Sequence, residues 1–178
     1  MYRIMAKIVY KEGLEGQNRL ECIEGIEIEL LNGQKALIYP KYAERAILER
    51  EEISKWRAPK EAEIEALKIE DTYNKTVELF NIGSPAVGWV SQFKSDKYNR
   101  FYLPSLLAAM ELQYQKSEID VLSKTIEGAD LLSDFTSYVG SCSRYSHDYG
   151  WIAIGVNGFV SYFDLYNASL TVPIILYR

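Results

Sequence analysis

The sequence is poor in the side chains that most often carry chemistry. His147 is the only histidine among 178 residues, which excludes a His-based metal triad and leaves one candidate base for a nucleophilic relay. Its neighbours Ser146 and Asp148 do not complete that relay, because adjacent residues seldom point at one another and a triad is assembled from separated elements. Cys22 and Cys142 are the only 2 cysteines, too few for a disulfide framework and not spaced as a metal knuckle. They are expected as buried or half-buried thiols. No Asp-rich loop offers the roughly six or more oxygens that calcium takes. No catalytic residue, metal or cofactor is therefore expected.

Basic excess is missing too. Lys and Arg total 20 against 25 Asp and Glu, a net charge of -5, and a sequence-blind hold on nucleic acid needs the opposite balance. No apolar run approaches the roughly 18 residues of a membrane span. Even Val172-Pro173-Ile174-Ile175-Leu176-Tyr177 is short and broken by proline. The opening Met1-Tyr2-Arg3-Ile4-Met5-Ala6-Lys7 lacks the basic start, apolar stretch and cleavage site of an export signal. The chain is expected to be soluble as synthesised, without membrane insertion.

What is present is apolar volume. Hydrophobic residues make up 48% of the chain, enough for a real core, and the length suits one domain over residues 1–178. Tyr2, Ile4, Ala6, Ile8 and Tyr10 share one parity, the period of a half-buried strand. Ile26 to Leu30 alternates again, and Asn32-Gly33 before Ala36 to Tyr39 predicts a hairpin, so residues 1–40 form the N-terminal strands. Lys41 to Ser54, with Ala43, Ala46, Ile47 and Ile53 under a coat of Glu and Arg, reads as a surface helix. Further helices are expected from Pro59 through Leu67, from Pro104 through Leu112, and over Ser117 to Ile126, ending at Gly128. From Tyr138 to Arg178 the chain is rich in Tyr, Ser, Gly and β-branched residues with turn signals at Asp148-Tyr149-Gly150 and Asn157-Gly158, which predicts short strands. Strands, helices, then strands make an α+β layout in which the N- and C-terminal strands share a sheet. Trp56, Trp89 and Trp151 are assigned to the core.

Trp56-Arg57-Ala58-Pro59-Lys60-Glu61-Ala62-Glu63-Ile64-Glu65 resembles the Arg-Leu-Pro-Thr-Glu-Ala-Glu-Trp-Glu helix start of formylglycine-generating-enzyme-like domains. Arg100-Phe101-Tyr102-Leu103-Pro104-Ser105 resembles the Arg-x-Leu-Pro-Ser start of Lcl C-terminal-like domains. Tyr138-Val139-Gly140-Ser141, Tyr145-Ser146, Gly150-Trp151, Asn157-Gly158 and Val172-Pro173-Ile174 follow the spacing of the Lcl-type pattern Tyr-Trp-Ser-Ser, Tyr-Ser, Ala-Trp, Asn-Gly, Val-Arg-Pro-Val. The departures are Val139 for Trp, Gly150 for Ala, and the missing Arg before Pro173. The resemblance spans roughly residues 56 to 178. It implies a C-type-lectin-like fold with mixed antiparallel sheets and two or more flanking helices.

Many relatives of this type are variable proteins of diversity-generating retroelements, in which adenine-directed mutagenesis alters residues displayed on a lectin fold. Asn codons changed at their adenines cannot give Lys, Glu, Gln, Met or Trp. Tyr138 to Leu170 contains no Lys, Glu, Gln or Met, and Trp151 belongs to the motif itself. Residues 138–178 are therefore taken as the variable, ligand-binding region. Its candidate contact residues are Arg144, Ser146, His147, Asp148, Tyr149, Ile152, Ile154, Asn157, Phe159, Ser161, Tyr162, Phe163, Asp164 and Tyr166. Tyr and Phe give contact area at low entropy cost, while Ser, Asn and Asp adapt their hydrogen bonds, as in antibody loops. Strand alternation places some of Phe159, Tyr162 and Phe163 in the core instead.

The function this implies is receptor or ligand binding through a hypervariable surface, in viral or phage host attachment or cell-surface recognition. The partner would be a protein or glycan on a host or target cell, met from a virion surface such as a tail, or by a chain that is cytoplasmic as synthesised. Pairing of N-terminal strands between subunits would give a homo-oligomer. Two alternatives stand beside it: a fixed structural or adhesion module of a phage or bacterial surface assembly, and an oxidase of the formylglycine-generating type. The relatives with that activity use a cysteine pair near the C-terminal core, where only Cys142 lies.

Overall fold

Alternating side chains build the first of two sheets. The computed structural model describes residues 5–49, 71–135, 138–145, 149–154 and 159–177. In chain order these contain β1 (Lys7–Tyr10), β2 (Ile23–Glu29), β3 (Lys35–Ile38), β4 (Ala43–Ala46), helices α1 (Asp71–Asn81) and α2 (Pro85–Val90), β5 (Lys94–Ser95) and β6 (Asn99–Arg100). They continue with helices α3 (Leu106–Tyr114) and α4 (Lys116–Ser123), then β7 (Val139–Arg144), β8 (Tyr149–Ile154), β9 (Phe159–Asp164), β10 (Ala168–Thr171) and β11 (Ile174–Tyr177). The architecture is mixed α+β.

Ile26 and Ile28 of β2 are fully buried, while Glu27 and Glu29 point the other way. The Asn32-Gly33 hairpin forms as expected: Gly33 has φ +78°, the left-handed value its missing Cβ permits, and β2 and β3 pair with Ile28 opposite Ala36. β11 pairs antiparallel with β3, Ile174 opposite Ile38, so both ends of the described chain share one sheet in the order β1-β2-β3-β11. The second sheet runs β4-β10-β7-β8-β9, antiparallel except between β10 and β7.

One core joins the sheets. Ile26, Ile38 and Ile174 from the first meet Val139, Ala153 and Leu170 from the second, with Ala109 and Leu112 of α3 and Ile119 of α4 between them. Each fully buried Leu or Ile contributes about 1.5–3 kcal/mol. The stretch before α3 stitches the sheets through its backbone: Tyr102 exchanges hydrogen bonds of 2.8 and 3.1 Å with Ile174, and the Pro104 carbonyl accepts from the Cys142 N–H at 2.8 Å. A second cluster lies under α1 and α2, where Leu79, Val87 and Val90 meet Ile47, Leu103, Cys142 and Leu165.

The surface helix expected over Lys41–Ser54 is corrected in its described part. Ala43–Ala46 is the edge strand β4, paired with β10 so that Ala46 lies opposite Ala168. Ala43 and Ala46 carry too little apolar area to hold a helix down, and β10 offers backbone partners, so tertiary pairing overrides the Glu- and Arg-rich helix propensity. The helix expected from Pro59 through Leu67, with the motif at Trp56 to Glu65, lies outside the described residues. The helix expected after Pro104 is α3, capped by Ser105, whose Oγ accepts from the Ala108 N–H at 3.4 Å. The last expected helix starts one residue early, at Lys116, and stops at Ser123; Gly128 follows with φ +86°. Helices α1 and α2 escape the sequence reading, although Ser84-Pro85 is a start signal: Ser84 Oγ accepts from the Val87 N–H at 3.3 Å.

Candidate ligand-binding surface

The candidate residues ride on the meander β7-β8-β9, and its register decides which of them can act together. β8 pairs with β9 so that Tyr149 faces Asp164, Gly150 faces Phe163, Ile152 faces Ser161 and Ile154 faces Phe159. Residues directly opposite point to the same side of a sheet, and neighbours along a strand to opposite sides. The candidates therefore split. Tyr149, Tyr162 and Asp164 share the face on which α3 packs; Ile152, Ile154, Phe159, Ser161 and Phe163 share the other.

On the α3 face, Val160 and Tyr145 pack against Leu106 and Met110 of α3. Beyond them three tyrosines meet. Tyr145 stacks on Tyr162, and Tyr149 meets the same ring edge-on at 5.5 Å and 82°. Tyr162 is 52% exposed and Tyr149 36%, so the cluster shows aromatic surface while its base is held by α3. Asp164 is half-buried and accepts a hydrogen bond from Asn167 Nδ2 at 3.2 Å.

On the opposite face Phe159 is 66% exposed, Ile154 and Ser161 are half-buried, and half-buried Phe163 meets the Tyr138 ring edge-on, centroids 6.3 Å apart. Tyr166 is exposed in the turn from β9 to β10. Two candidates are corrected. Ile152 is 2% exposed and Arg144 5%, so neither presents a contact surface. β8 has neighbours on both sides, and Ile152 sits mid-strand between Gly140 and Ser161; Arg144 closes β7 opposite Gly150. Ser146, His147, Asp148 and Asn157 lie outside the described residues. Tyr138 and Tyr145 complete the two groups; their signal in the sequence is membership of the same Tyr-rich segment.

Gly150 stands where the resembled pattern has Ala, and packing supplies a reason. A Cβ there would lie 2.7 Å from Leu165 Cδ2, inside van der Waals contact.

Trp89 packs at the edge of the second cluster with the Arg45 guanidinium 5.5 Å from its ring centroid. Trp56 lies outside the described residues, and Trp151 is described through its backbone only. Both thiols are buried and neither is in a disulfide: Cys142 lies in the second cluster, and Cys22 Sγ donates to Gln17 Oε1 at 3.8 Å. Among the described residues no group of three or more His, Cys, Asp and Glu could hold a metal, and no helix is long and apolar enough to cross a membrane.

Sequence reasoning missed two concave sites. A cleft of about 730 Å³ lies between β1–β3 and α4, with Lys7, Glu27, Lys35, Glu118 and Val121 on its walls. Within it Glu27 accepts from the Tyr177 hydroxyl and pairs with Lys7 at 3.2 Å and Lys35 at 3.3 Å. Burial alone would raise the Glu27 carboxyl, but these donors outweigh it and hold it below its ordinary value. Burial and the Glu27 carboxylate push Tyr177 up. A second groove, of about 480 Å³, runs between α1 and the β5-β6 hairpin. Comparison of the chain with protein-family models, curated proteins and solved structures finds no match.

Proposed function

We propose that this chain is a binding protein that displays a recognition surface on a C-type-lectin-like scaffold, diversified by a retroelement and used in host attachment or cell-surface recognition. The observation that carries the reading is the aromatic exposure of β8 and β9, Tyr149 and Tyr162 on one face and Phe159 on the other, on strands whose neighbours are pinned by α3 and the shared core. Large rings on a rigid frame give contact area without an ordering cost on binding. The absence of Lys, Glu, Gln and Met from Tyr138 to Leu170 supports diversification through adenines. A sheet joining the first and last described strands, with a second sheet built mainly from the C-terminal third, supports the lectin-like layout. The ligand is a protein or glycan of a target surface.

Alanine variants at Tyr149, Phe159, Tyr162 and Tyr166, assayed for binding to target-cell envelopes with folding checked by circular dichroism, test it. Loss of binding with an intact fold is expected. The division of the candidates between two faces favours one other reading, a fixed adhesion module of a surface assembly that uses a single face. Sibling sequences without clustered change over residues 142–169 would select that module.

A further inference from the structure

Helix α1 carries two apolar stripes, and only one is used by the core. Leu79 is fully buried and Thr76 nearly so, its Oγ1 accepting from the Leu103 N–H at 3.1 Å. Tyr73, Val77 and Phe80 follow the spacing of one helical face, yet they are 53%, 36% and 50% exposed. They form one wall of the 480 Å³ groove. The facing wall is aromatic as well: Tyr98 and Tyr102 line it, and Tyr73 meets Tyr102 edge-on at 5.2 Å.

The groove's charge is one-sided. Arg100 is the only charged residue among the described residues that line it. The register of β5 and β6 sets Lys94 directly opposite Arg100, an arrangement of like charges that costs stability. Lys97 follows in the same hairpin, its ammonium 5.1 Å from the Tyr98 ring centroid. Among the described residues no salt bridge engages Lys94, Lys97 or Arg100. Tyr98 and Glu24 engage Lys97, so the charge left to the groove is that of Arg100 with Lys94 opposite it, and in a chain of net charge -5 this positive pair beside exposed rings is complementary to an anion.

We infer that the groove between α1 and the β5-β6 hairpin is a binding site for a small aromatic carboxylate, its ring held between Phe80, Tyr73 and Tyr98 and its carboxylate by Arg100 with Lys94. Arginine meets a carboxylate in a planar two-point contact, and the ring faces supply apolar area and stacking. The bound anion relieves the repulsion between Lys94 and Arg100. This site is separate from β8 and β9 and stands whatever they bind.

Fluorescence titration of the intact chain with anilinonaphthalene sulfonate, an aromatic anion, tests the inference, with neutral phenyl naphthylamine as the uncharged control and naphthoate as competitor. Saturable binding to one site, competed by naphthoate, is expected. Arg100→Gln should weaken it about tenfold, the scale of one charged hydrogen bond, and leave the neutral probe unaffected; Phe80→Ala should weaken both probes. Arg100 is exposed, so its variant keeps the test intact should Phe80→Ala disturb the fold. No saturable binding, equal affinity for the neutral probe, or an Arg100→Gln variant that binds the anion as well as the parent overturns the site.

Discussion

Tyr145 and Tyr162 lie ring on ring, centroids 4.5 Å apart and planes 8° from parallel. Tyr145 is also packed against α3, so the stack transmits the rigidity of the core to a ring that is half in solvent. Tyr162→Ala should abolish recognition on this face while costing about 2 kcal/mol of stability, the worth of the two aromatic pairs it makes with Tyr145 and Tyr149. Parallel denaturant melts and binding assays check both halves of the expectation.

Gly150 and Leu165 should couple. Adding a methyl group at 150 forces Leu165 Cδ2 from a distance of 2.7 Å, and overpacking of this kind costs about 1–3 kcal/mol. Gly150→Ala alone should destabilise by that amount, and Leu165→Ala should remove most of the penalty in the double variant. A double-mutant cycle in urea measures the coupling; additive effects would show that the close approach is not what selects glycine.

How much of this was legible in the sequence depends on the range of the interaction. The β2-β3 hairpin was legible because Asn32-Gly33 encodes its own turn, and the α3 start because Ser105 caps locally. The sharing of a sheet by the chain ends followed from the order of elements. Ala43–Ala46 was misread as helix because its partner, β10, is more than 100 residues away along the chain. The candidate residues were legible as a composition and not as a surface: only the register that sets Ile154 opposite Phe159 and Tyr149 opposite Asp164 divides them between two faces. The groove beside Phe80 was invisible because α1 itself was not foreseen.

Glu27 makes folding sensitive to acid. Its donors hold its folded pKa below the ordinary 4.5. Its contribution is therefore full above the unfolded value and is lost as pH falls through the depressed folded value. Stability measured from pH 6 downward should drop below about pH 4.5, and Glu27→Gln should flatten part of that drop. Tyr177→Phe, which removes one donor, should move the midpoint of the loss upward in pH.

Cys22 and Cys142 should resist modification together. Cys142 is 0% exposed and Cys22 6%, so an aromatic disulfide reagent should label the native chain only as fast as it opens, and both thiols at once in guanidinium. A rapidly labelled native thiol would place one of them at a surface.

The central claim, recognition by a diversified β8-β9 surface, is tested most directly by sequencing this gene across a natural population. The account predicts substitutions confined to template adenines, concentrated at the codons of exposed Tyr149, Phe159, Tyr162 and Tyr166, with buried Ile152 and Leu165 constant. Variation spread evenly along the chain, or falling equally on Ile152 and Leu165, would contradict it.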